Sequence, residues 1–338
     1  MHKHPNCQRL TLGIVQKRGT AQRDIVGSRR EEGMQSFITT PLRMYFRYSS
    51  SLFAKRALWK YVADNLWWAE GNVKADTLFG SRVLVNARDI VGRYIYYFGI
   101  WEPNLTNWVS ERLLPGDVFI DVGANVGYYS LLASKLVGQD GTVIAIEPLP
   151  EIFGMLTQNL ELNHAQNVRA LNAAAWGEEA LVDIFTWPNC PPGVTSLSVS
   201  WADKWKLERH GRASAMPLSA LLRAHEAQAA RLIKIDVEGS ECQVISGMKS
   251  ILDVSRTDLE LIIEVHPSIL EPRDCAWRDS LDFLVSHGFY SYQIDNCYSA
   301  EAYFCRGAPT RPRRISIDLI DGLEQINLIF SRIDATCL

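Results

Sequence analysis

The order of apolar segments after Pro115 is the feature that most limits what this 338-residue chain can fold into. Short apolar runs of strand length alternate there with longer segments of helical periodicity, nearly to the end of the chain. Buried, β-branched strands that alternate with helices are typical of a parallel sheet with helices on both faces. We therefore predict an α/β fold with a doubly wound, mainly parallel sheet for residues 115–338.

Apolar periodicity defines the individual elements of this domain. The predicted strands are Val118–Val122, Thr142–Glu147, Val168–Ala173, Leu181–Thr186, Leu232–Val237, Leu259–Val265, Phe289–Ile294 and Gln325–Phe330. The predicted helices are Gly127–Val137, Pro150–Asn163, Leu218–Glu226, Glu241–Ile251 and Ala276–His287. A Pro-, Gly- and Ser-rich segment, Trp187–Trp205, interrupts the series and predicts a lid or an acceptor-binding loop. Its tryptophans, Trp187, Trp201 and Trp205, offer faces for stacking on a sugar, with core packing as the alternative.

The chain before Pro115 is organised differently. Residues 1–35 are rich in Arg, Gln and Gly without apolar periodicity, which predicts a basic, disordered leader. Residues 36–114 predict a mainly helical extension that packs on the core. Within it, aromatic and cationic residues interleave over 42–68, as in a helical hairpin or a broken amphipathic helix, and residues 78–86 resemble a strand.

Charge is distributed unevenly between the two ends of the chain. Residues 1–60 hold 12 Lys and Arg against three acidic residues, a balance of +9, and because the whole chain carries −3, the remainder carries −12. A basic arm on an acidic body suggests an anionic partner for the arm. We therefore consider peripheral contact with an anionic membrane, with a merely soluble leader as the alternative.

Targeting and cysteine signals are weak. No run of 18 apolar residues is present, and the basic beginning of the chain lacks the apolar core of a secretion signal. The seven cysteines show no CxxC spacing, so we interpret them as reduced thiols. These features predict a cytoplasmic protein, peripheral at a membrane if the arm binds one.

The loop after the first predicted strand has the composition of a ligand-binding turn. It reads Asp121-Val122-Gly123-Ala124-Asn125-Val126-Gly127, a D-x-G-x-N-x-G pattern unlike the G-x-G-x-x-G of dinucleotide enzymes. The two glycines allow a tight turn, and the following helix directs free N–H groups to the same place. A carboxylate at Asp121 suits a ligand with an ammonium group, as in the amino acid tail of S-adenosylmethionine. We predict cofactor contacts from Asp121, Gly123, Ala124, Asn125, Gly127 and Glu147.

Glu147 completes this prediction. It follows the second predicted strand, 26 positions after Asp121. A carboxylate at that strand end can accept hydrogen bonds from both hydroxyls of a ribose. The strand–loop–helix–strand–Glu order is more specific than either motif alone, and it predicts S-adenosylmethionine as the cofactor.

Several segments together resemble the FkbM-type methyltransferases of class I. They are Trp101-Glu102-Pro103, Pro115–Gly127, Ile146-Glu147-Pro148, Ile233–Glu241 and Ile262–Pro267, within a span of roughly 80–295. The resemblance implies a Rossmann-like, seven-stranded methyltransferase sheet, S-adenosylmethionine as methyl donor, and O-methylation of a hydroxyl on a sugar, glycolipid or natural product. Residues 1–75 lie outside it.

Four ionisable residues near the ends of the fourth and fifth sheet strands are the candidate catalytic groups. They are Asp236, Glu238, Glu264 and His266. Methyl transfer to a poorly nucleophilic hydroxyl benefits from a base within hydrogen-bond reach. Buried charges are costly without a partner, so such a cluster predicts a function, although helix capping or pairing with Arg is an alternative role for Asp236 and Glu264.

Other interpretations remain open at this level. The same cluster could hold Mg²⁺ or another divalent cation that orients the acceptor. The fold could methylate a nitrogen or a nucleic acid, but the acidic body and the absence of an Asn/Asp-Pro-Pro-Tyr strand end argue against nucleic acid. A non-catalytic S-adenosylmethionine-binding protein is the third possibility. The sequence names no acceptor and no oligomeric state.

Overall fold

A computed structural model describes residues 29–65, 71–188, 195–267, 277–296, 298–304, 310–320, 323 and 325–338. The strands are β1 Asn72–Asp76, β2 Arg82–Asn86, β3 Val118–Val122, β4 Thr142–Ile146, β5 Val168–Leu171, β6 Ala174–Trp176, β7 Ala180–Thr186, β8 Thr195–Ser196, β9 Glu208–Pro217, β10 Ala230–Ile235, β11 Glu260–Val265, β12 Tyr290–Ile294, β13 Arg313–Arg314 and β14 Ile326–Ser331. The helices are α1 Arg29–Tyr48, α2 Leu52–Asn65, α3 Ile90–Phe98, α4 Pro103–Arg112, α5 Tyr128–Val137, α6 Pro150–Leu162, α7 Val199–Trp205, α8 Leu218–Leu221, α9 Ala224–Ala229, α10 Glu241–Ser246, α11 Lys249–Val254, α12 Trp277–Ser286 and α13 Ala300–Phe304, with a 3₁₀ turn at Ile317–Leu319.

The central sheet has the strand order β13-β12-β14-β11-β10-β3-β4-β5. The five strands from β11 to β5 are parallel, and β14 runs antiparallel to both of its neighbours. The strand order switches between β3 and β10, where parallel α/β sheets bind ligands. The predicted mainly parallel, Rossmann-like α/β sheet is confirmed. Its seven longer strands match the expected number, and β13 adds a two-residue edge.

Burial on both faces explains why these strands read as continuous apolar runs. Phe119 and Leu232 point into one hydrophobic core, whereas the adjacent Ile120 and Ile233 point into the other. All four side chains are fully buried. Alternate residues thus supply both cores, as expected when helices cover both faces of a parallel sheet.

A second sheet, with the order β6-β9-β7-β8, follows β5 along the chain. Its strand β7 was predicted, but the ten-residue strand β9 was not. Small residues such as Ala213 and Ala215 face inward in β9, while exposed Arg and His alternate with them. Alanine and glycine have low strand propensity, so the period-two pattern was hard to recognise.

Two predicted helices are broken in the structure. The helix predicted over Glu241–Ile251 divides into α10 and α11, and the one predicted over Leu218–Glu226 divides into α8 and α9. At the first break, a Cβ on Gly247 would lie 2.1 Å from the backbone oxygen of Trp176. The chain therefore passes too close to β6 for any larger residue, and it bends there.

The extension before the sheet packs on it through α1 and α2. Helix α1 begins at Arg29, so the predicted leader of residues 1–35 ends too late; residues 1–28 lie outside the described part. The buried ring of Phe46 meets Trp59 edge-on at 5.7 Å, which joins α1 to α2. The segment predicted as a helical hairpin or a broken helix is therefore a pair of helices, α1 and α2. One side of this pair packs on the core.

A buried arginine fixes α1 to α3. Arg47 donates hydrogen bonds from Nε to the Tyr97 carbonyl at 3.2 Å and from Nη2 to the Tyr96 carbonyl at 2.9 Å. A cation at the last turn of α3 satisfies carbonyls that the helix itself leaves free.

The prediction that all cysteines are reduced thiols is not confirmed for the cysteines that the structure describes. Cys242 is disulfide-bonded, whereas Cys337 is an exposed free thiol. No CxxC spacing marks Cys242 in the sequence, which is why this bond was missed. Disulfides are typical of oxidising compartments, so this bond does not support the predicted cytoplasmic location. Within the described residues, no helix is long and apolar enough to cross a membrane.

Candidate active site

The loop after β3 is pressed against the neighbouring strand end. Gly123 has φ +82°, and a Cβ there would lie 1.9 Å from the backbone oxygen of Asp236. The amides of Gly123 and Ala124 both donate to the Ile146 carbonyl at 3.0 Å. The loop that was predicted to bind the cofactor is thus in backbone contact with the residue that was predicted to act as a base.

The second half of the loop turns the chain into α5. Asn125 and Gly127 both have positive φ, +49° and +88°. A Cβ on Gly127 would lie 2.5 Å from Leu156 Cδ1, so a larger residue would displace that side chain of α6 and would also be strained by the positive φ. The Asn125 side chain accepts a hydrogen bond from the Val126 amide at 2.7 Å, which stabilises the left-handed conformation.

Asp121 lies beneath this loop and is 1% exposed. Its Oδ2 accepts a hydrogen bond from Ser130 Oγ at 2.6 Å. Among the residues that the structure describes, no donor reaches Asp121 Oδ1. Burial raises the pKa of Asp121, and the nearby Lys234 partly offsets the effect. An unsatisfied buried carboxylate oxygen suits a cationic group such as an ammonium.

Glu147 also meets the loop. Its Oε2 accepts the Asn125 amide and its Oε1 accepts the Leu149 amide, each at 3.0 Å. Burial raises the pKa of Glu147 to about 7, although these two backbone hydrogen bonds act in the opposite direction. Each carboxylate oxygen has two acceptor sites, so both oxygens retain capacity for ribose hydroxyls.

The four candidate catalytic residues lie together at the carboxyl ends of β10 and β11. Glu264 and His266 both contribute to lowering the pKa of Asp236, so both side chains lie near it. Glu264 Oε1 lies 3.8 Å from His266 Nε2. Strand β10 ends at Ile235 instead of the predicted Val237, and Glu238 has φ +51°. Glu238 therefore reaches the cluster from a turn.

The four groups differ in protonation. Burial would raise the pKa of Asp236, but the Lys234 charge and hydrogen bonds from Lys234 and Glu264 outweigh it, and the pKa is lowered. Burial and repulsion from Asp236 raise the pKa of both Glu238 and Glu264 far above their usual range. Burial lowers the pKa of His266 to about 4. At neutral pH, Asp236 is therefore the ionised member of the cluster.

Lys234 is a buried cation that sequence reasoning missed. Its Nζ lies 2.7 Å from Asp236 Oδ2, and only 4% of the residue is exposed. Lys234 is also paired in register with Asp121 on β3. Burial alone would lower the pKa of Lys234, but the carboxylates around it raise the pKa instead. The sequence could have revealed this residue, because a lysine between two isoleucines of a buried strand needs a negatively charged partner nearby.

Glu102 and Tyr298 also escaped the sequence prediction. Glu102 precedes α4 and is fully buried, and Tyr298 lies in the chain after β12. The Tyr298 hydroxyl lies 2.7 Å from Glu102 Oε1 and 3.2 Å from Glu264 Oε1. Glu102 stands within a segment that carries the family resemblance, but Tyr298 has no motif that would reveal it.

One predicted lid tryptophan forms a wall of the cluster. Trp201 packs edge-on against the His266 ring at 4.5 Å, and a Cβ on Gly239 would lie 3.2 Å from Trp201 Cε3. The neighbouring Ser196 donates to the Glu238 carbonyl at 2.6 Å. The segment around α7 thus covers the cluster. Trp201 is buried in this packing, whereas Trp187 and Trp205 are half-buried.

In the part of the chain that the structure describes, no group of three or more His, Cys, Asp or Glu side chains has the arrangement to hold a metal ion.

The strand order, the glycine loop after β3 and the acidic residue after β4 define a methyltransferase-type α/β domain. The family model "Methyltransferase FkbM domain" matches residues 121–290. The chain belongs to this FkbM methyltransferase family. The match confirms the resemblance to FkbM-type methyltransferases that the sequence motifs indicated.

Two curated proteins that are similar to this chain are named as methyltransferases. The chain is 27% identical to "Methyltransferase 1" of Beauveria bassiana over 40% of this chain and 59% of that protein. It is 25% identical to "Hexuronic acid methyltransferase AglP" of Haloferax volcanii over 51% of this chain and 65% of that protein. The solved FkbM methyltransferase of Methylobacillus flagellatus aligns with TM-score 0.39 and 14% identity, over 67% of this chain and 50% of that one. The chain thus matches less than two thirds of the length of these relatives.

Proposed function

We propose that this protein transfers a methyl group from S-adenosylmethionine to a hydroxyl oxygen of a sugar, glycolipid or related natural product. The observation that carries the proposal is the contact between Gly123 and the Asp236 backbone oxygen. It joins the predicted donor loop to an ionised carboxylate at the adjacent strand end. Family membership and the relative named as a hexuronic acid methyltransferase support the reaction and the acceptor class.

The residues around the loop have complementary roles in this proposal. Asp121 would receive the ammonium group of the cofactor, and Glu147 would receive the ribose hydroxyls. The bound cofactor supplies a sulfonium methyl group, which passes to the acceptor oxygen as S-adenosylhomocysteine is formed. Asp236 would accept the proton that the acceptor hydroxyl loses. Trp201 and the segment around α7 would exclude water from the transfer.

An assay with radiolabelled S-adenosylmethionine tests the reaction directly. We expect label to pass to hydroxyl-bearing saccharides or glycolipids and not to RNA or DNA of matched concentration. Base-stable label in the saccharide fraction would identify an ether product. Label that enters only nucleic acid, or only nitrogen atoms of the acceptor, would refute the proposed acceptor class.

The Glu147 assignment makes a quantitative prediction. Glu147→Ala should weaken S-adenosylhomocysteine binding at least tenfold, about 1.4 kcal/mol, in isothermal titration. The pKa of Glu147 is raised to about 7, and ribose hydroxyls donate best to the ionised form. Binding to the unaltered protein should therefore weaken as pH falls through 7.

The pH dependence supplies its own control. Glu147→Gln cannot titrate, so its weaker binding should lack this dependence near neutral pH. Equal affinity of the variants and the unaltered protein at pH 8 would remove Glu147 from the cofactor site.

We also propose that the pair of helices α1 and α2 contacts an anionic membrane surface. The side of α2 turned away from the core combines apolar and cationic groups, with Phe53 85% exposed and Arg56 and Lys60 also exposed. An aromatic ring that inserts among acyl chains, flanked by cations that face lipid phosphates, is typical of peripheral membrane binding. Such contact would bring a lipid-linked acceptor near the site.

Vesicle flotation tests this contact. With phosphatidylserine-containing vesicles at low salt, Phe53→Ser combined with Arg56→Gln and Lys60→Gln should reduce the bound fraction several-fold. Binding by the unaltered protein should decline as salt rises, because exposed charges are screened over about 8 Å at physiological ionic strength. Leu319→Ser alters another exposed apolar side chain, far from these helices in sequence, and serves as the control. Equal flotation of all three proteins would refute membrane contact through α2.

A further inference from the structure

The Tyr298 hydroxyl lies between two carboxyl groups that belong to different elements of the fold. One belongs to Glu102, which precedes α4, and the other belongs to Glu264 at the end of β11. Asn327 Nδ2 lies 3.4 Å from the same hydroxyl. A tyrosine has one proton to donate, so it cannot satisfy both carboxyl groups as a donor.

Glu102 is the acceptor that the structure favours. Its Oε1 faces Asn296 Nδ2 at 3.0 Å as well as Tyr298, and its Oε2 accepts from Tyr129 at 2.7 Å. Burial raises the pKa of Glu102, but hydrogen bonds from Tyr298 and Tyr129 act in the opposite direction. Three donors that converge on one carboxylate are the arrangement that stabilises an anion, and we give this geometry more weight. The shorter of the two Tyr298 contacts is also the one to Glu102. The Tyr298 proton therefore lies towards Glu102.

The other contact then needs a proton from Glu264. Once the Tyr298 proton is committed, the 3.2 Å approach of its oxygen to Glu264 Oε1 is favourable only if Glu264 is protonated. On its other side, hydrogen bonding with Glu264 is one cause of the lowered pKa of Asp236, and Lys234 Nζ lies 2.7 Å from the Asp236 carboxylate. Both neighbours of Glu264 are consistent with a neutral acid between them.

We propose that Glu102 and Tyr298 are positioning residues that hold Glu264 as a neutral carboxylic acid beside ionised Asp236, so that Asp236 is the proton acceptor of the pair. The assignment of Asp236 as acceptor rests on the proposed function, whereas the location of the proton on Glu264 does not. Two like charges at such close range cannot both persist in a buried site, and the surrounding groups decide which carboxyl keeps the proton.

Every charged or titratable group that faces Glu264 is compatible with this assignment. The groups are Asp236 and Lys234 from β10, Glu238 from the following turn, Glu102 from the extension, His266 from the end of β11, and Tyr298. Burial and the negative charges of Asp236 and Glu102 disfavour a negative charge on Glu264. Glu238 adds no charge at neutral pH, because its own pKa is raised far above its usual range. Lys234 opposes them, but it is paired with Asp236.

Infrared difference spectroscopy on the full chain, without acceptor or cofactor, locates the proton. Subtracting the spectrum of Glu264→Gln from that of the unaltered protein at pH 7 should isolate the carbonyl stretch of a protonated carboxylic acid. Carboxylate bands alone in this difference would overturn the proposal.

Two further variants test the positioning residues. Glu102→Gln removes a neighbouring negative charge, so the ionised form of Glu264 becomes less unfavourable and the pH at which the acid band disappears should fall by about one unit. Tyr298→Phe removes a hydrogen-bond partner and should shift the frequency of the band at pH 7. Tyr94→Phe is the matched control, because the Tyr94 hydroxyl donates to the Tyr298 backbone carbonyl and not to its side chain.

The outcomes separate the two proposals. An unchanged midpoint in Glu102→Gln together with an unchanged band in Tyr298→Phe would refute their positioning role. If Glu102→Gln fails to fold, the unaltered protein and Tyr298→Phe still decide the question. A protonated Glu264 in a protein that transfers no methyl group would contradict the proposed function alone.

Discussion

Replacing Asp236 with Asn is expected to lower kcat for methyl transfer by a factor of about 10² to 10⁴, the range typical of a lost general base. The amide keeps the shape of the side chain but cannot accept the acceptor proton. Affinity for S-adenosylhomocysteine, measured by titration calorimetry, should change little, because the loss falls on the transition state. The measurement is steady-state kinetics at saturating cofactor.

Asp183 provides the matched control for this change. Its carboxylate pairs with Arg212 at 2.9 Å and lies on β7, in the second sheet. Asp183→Asn should leave kcat unchanged. A metal-dependent mechanism makes a different prediction, in which EDTA abolishes activity and Mg²⁺ restores it. Activity that survives both EDTA and Asp236→Asn would exclude Asp236 from catalysis and leave Glu264 and His266 as candidates.

Replacing Lys234 with Met is expected to lower the free energy of unfolding by about 3–5 kcal/mol, as found when one partner of a buried ion pair is removed. Methionine fills a similar volume, so the loss reflects charge: Asp236 would remain buried without its cation, and Asp121 would lose a favourable neighbour. Urea denaturation monitored by circular dichroism measures the difference.

The pH dependence of this loss has a definite sign. Lys234 holds the folded-state pKa of Asp236 below its usual value, so the stabilisation is present at neutral pH and is lost as pH falls through that folded pKa. The deficit of Lys234→Met should therefore shrink in acid. Lys249→Met breaks an exposed pair with Asp253 and should change stability by less than about 0.5 kcal/mol. An equal deficit at pH 7 and at a pH below the folded-state pKa of Asp236 would contradict the electrostatic explanation.

The sheet was largely predictable because its strands bury both faces. Strand β3 matches the predicted Val118–Val122 in full, and β4 and β11 differ from the prediction by one residue at one end. Strand β9 was missed because alanines face inward where β-branched residues were expected. Helix breaks such as the one at Gly247 depend on contacts with distant backbone, which local periodicity does not contain.

The site was predictable only where residues stand at strand ends. The positions of Asp121, Glu147, Asp236 and Glu264 follow from the topology of a parallel sheet. Their protonation does not, since it depends on partners far away in sequence. Tyr298 is 196 positions from Glu102, yet their side chains share a hydrogen bond.

The segment shared with the family, residues 121–290, contains Glu264 but neither Glu102 nor Tyr298. The acid therefore lies inside this segment, whereas Tyr298, which contacts it, and Glu102, which contacts Tyr298, lie outside. Exchanging only the shared segment between two relatives would transplant the donor loop and the acid into foreign surroundings. We expect a chimera to keep the activity of the inserted segment only if the segment before α4 and the segment after β12 come from the same parent as the insert.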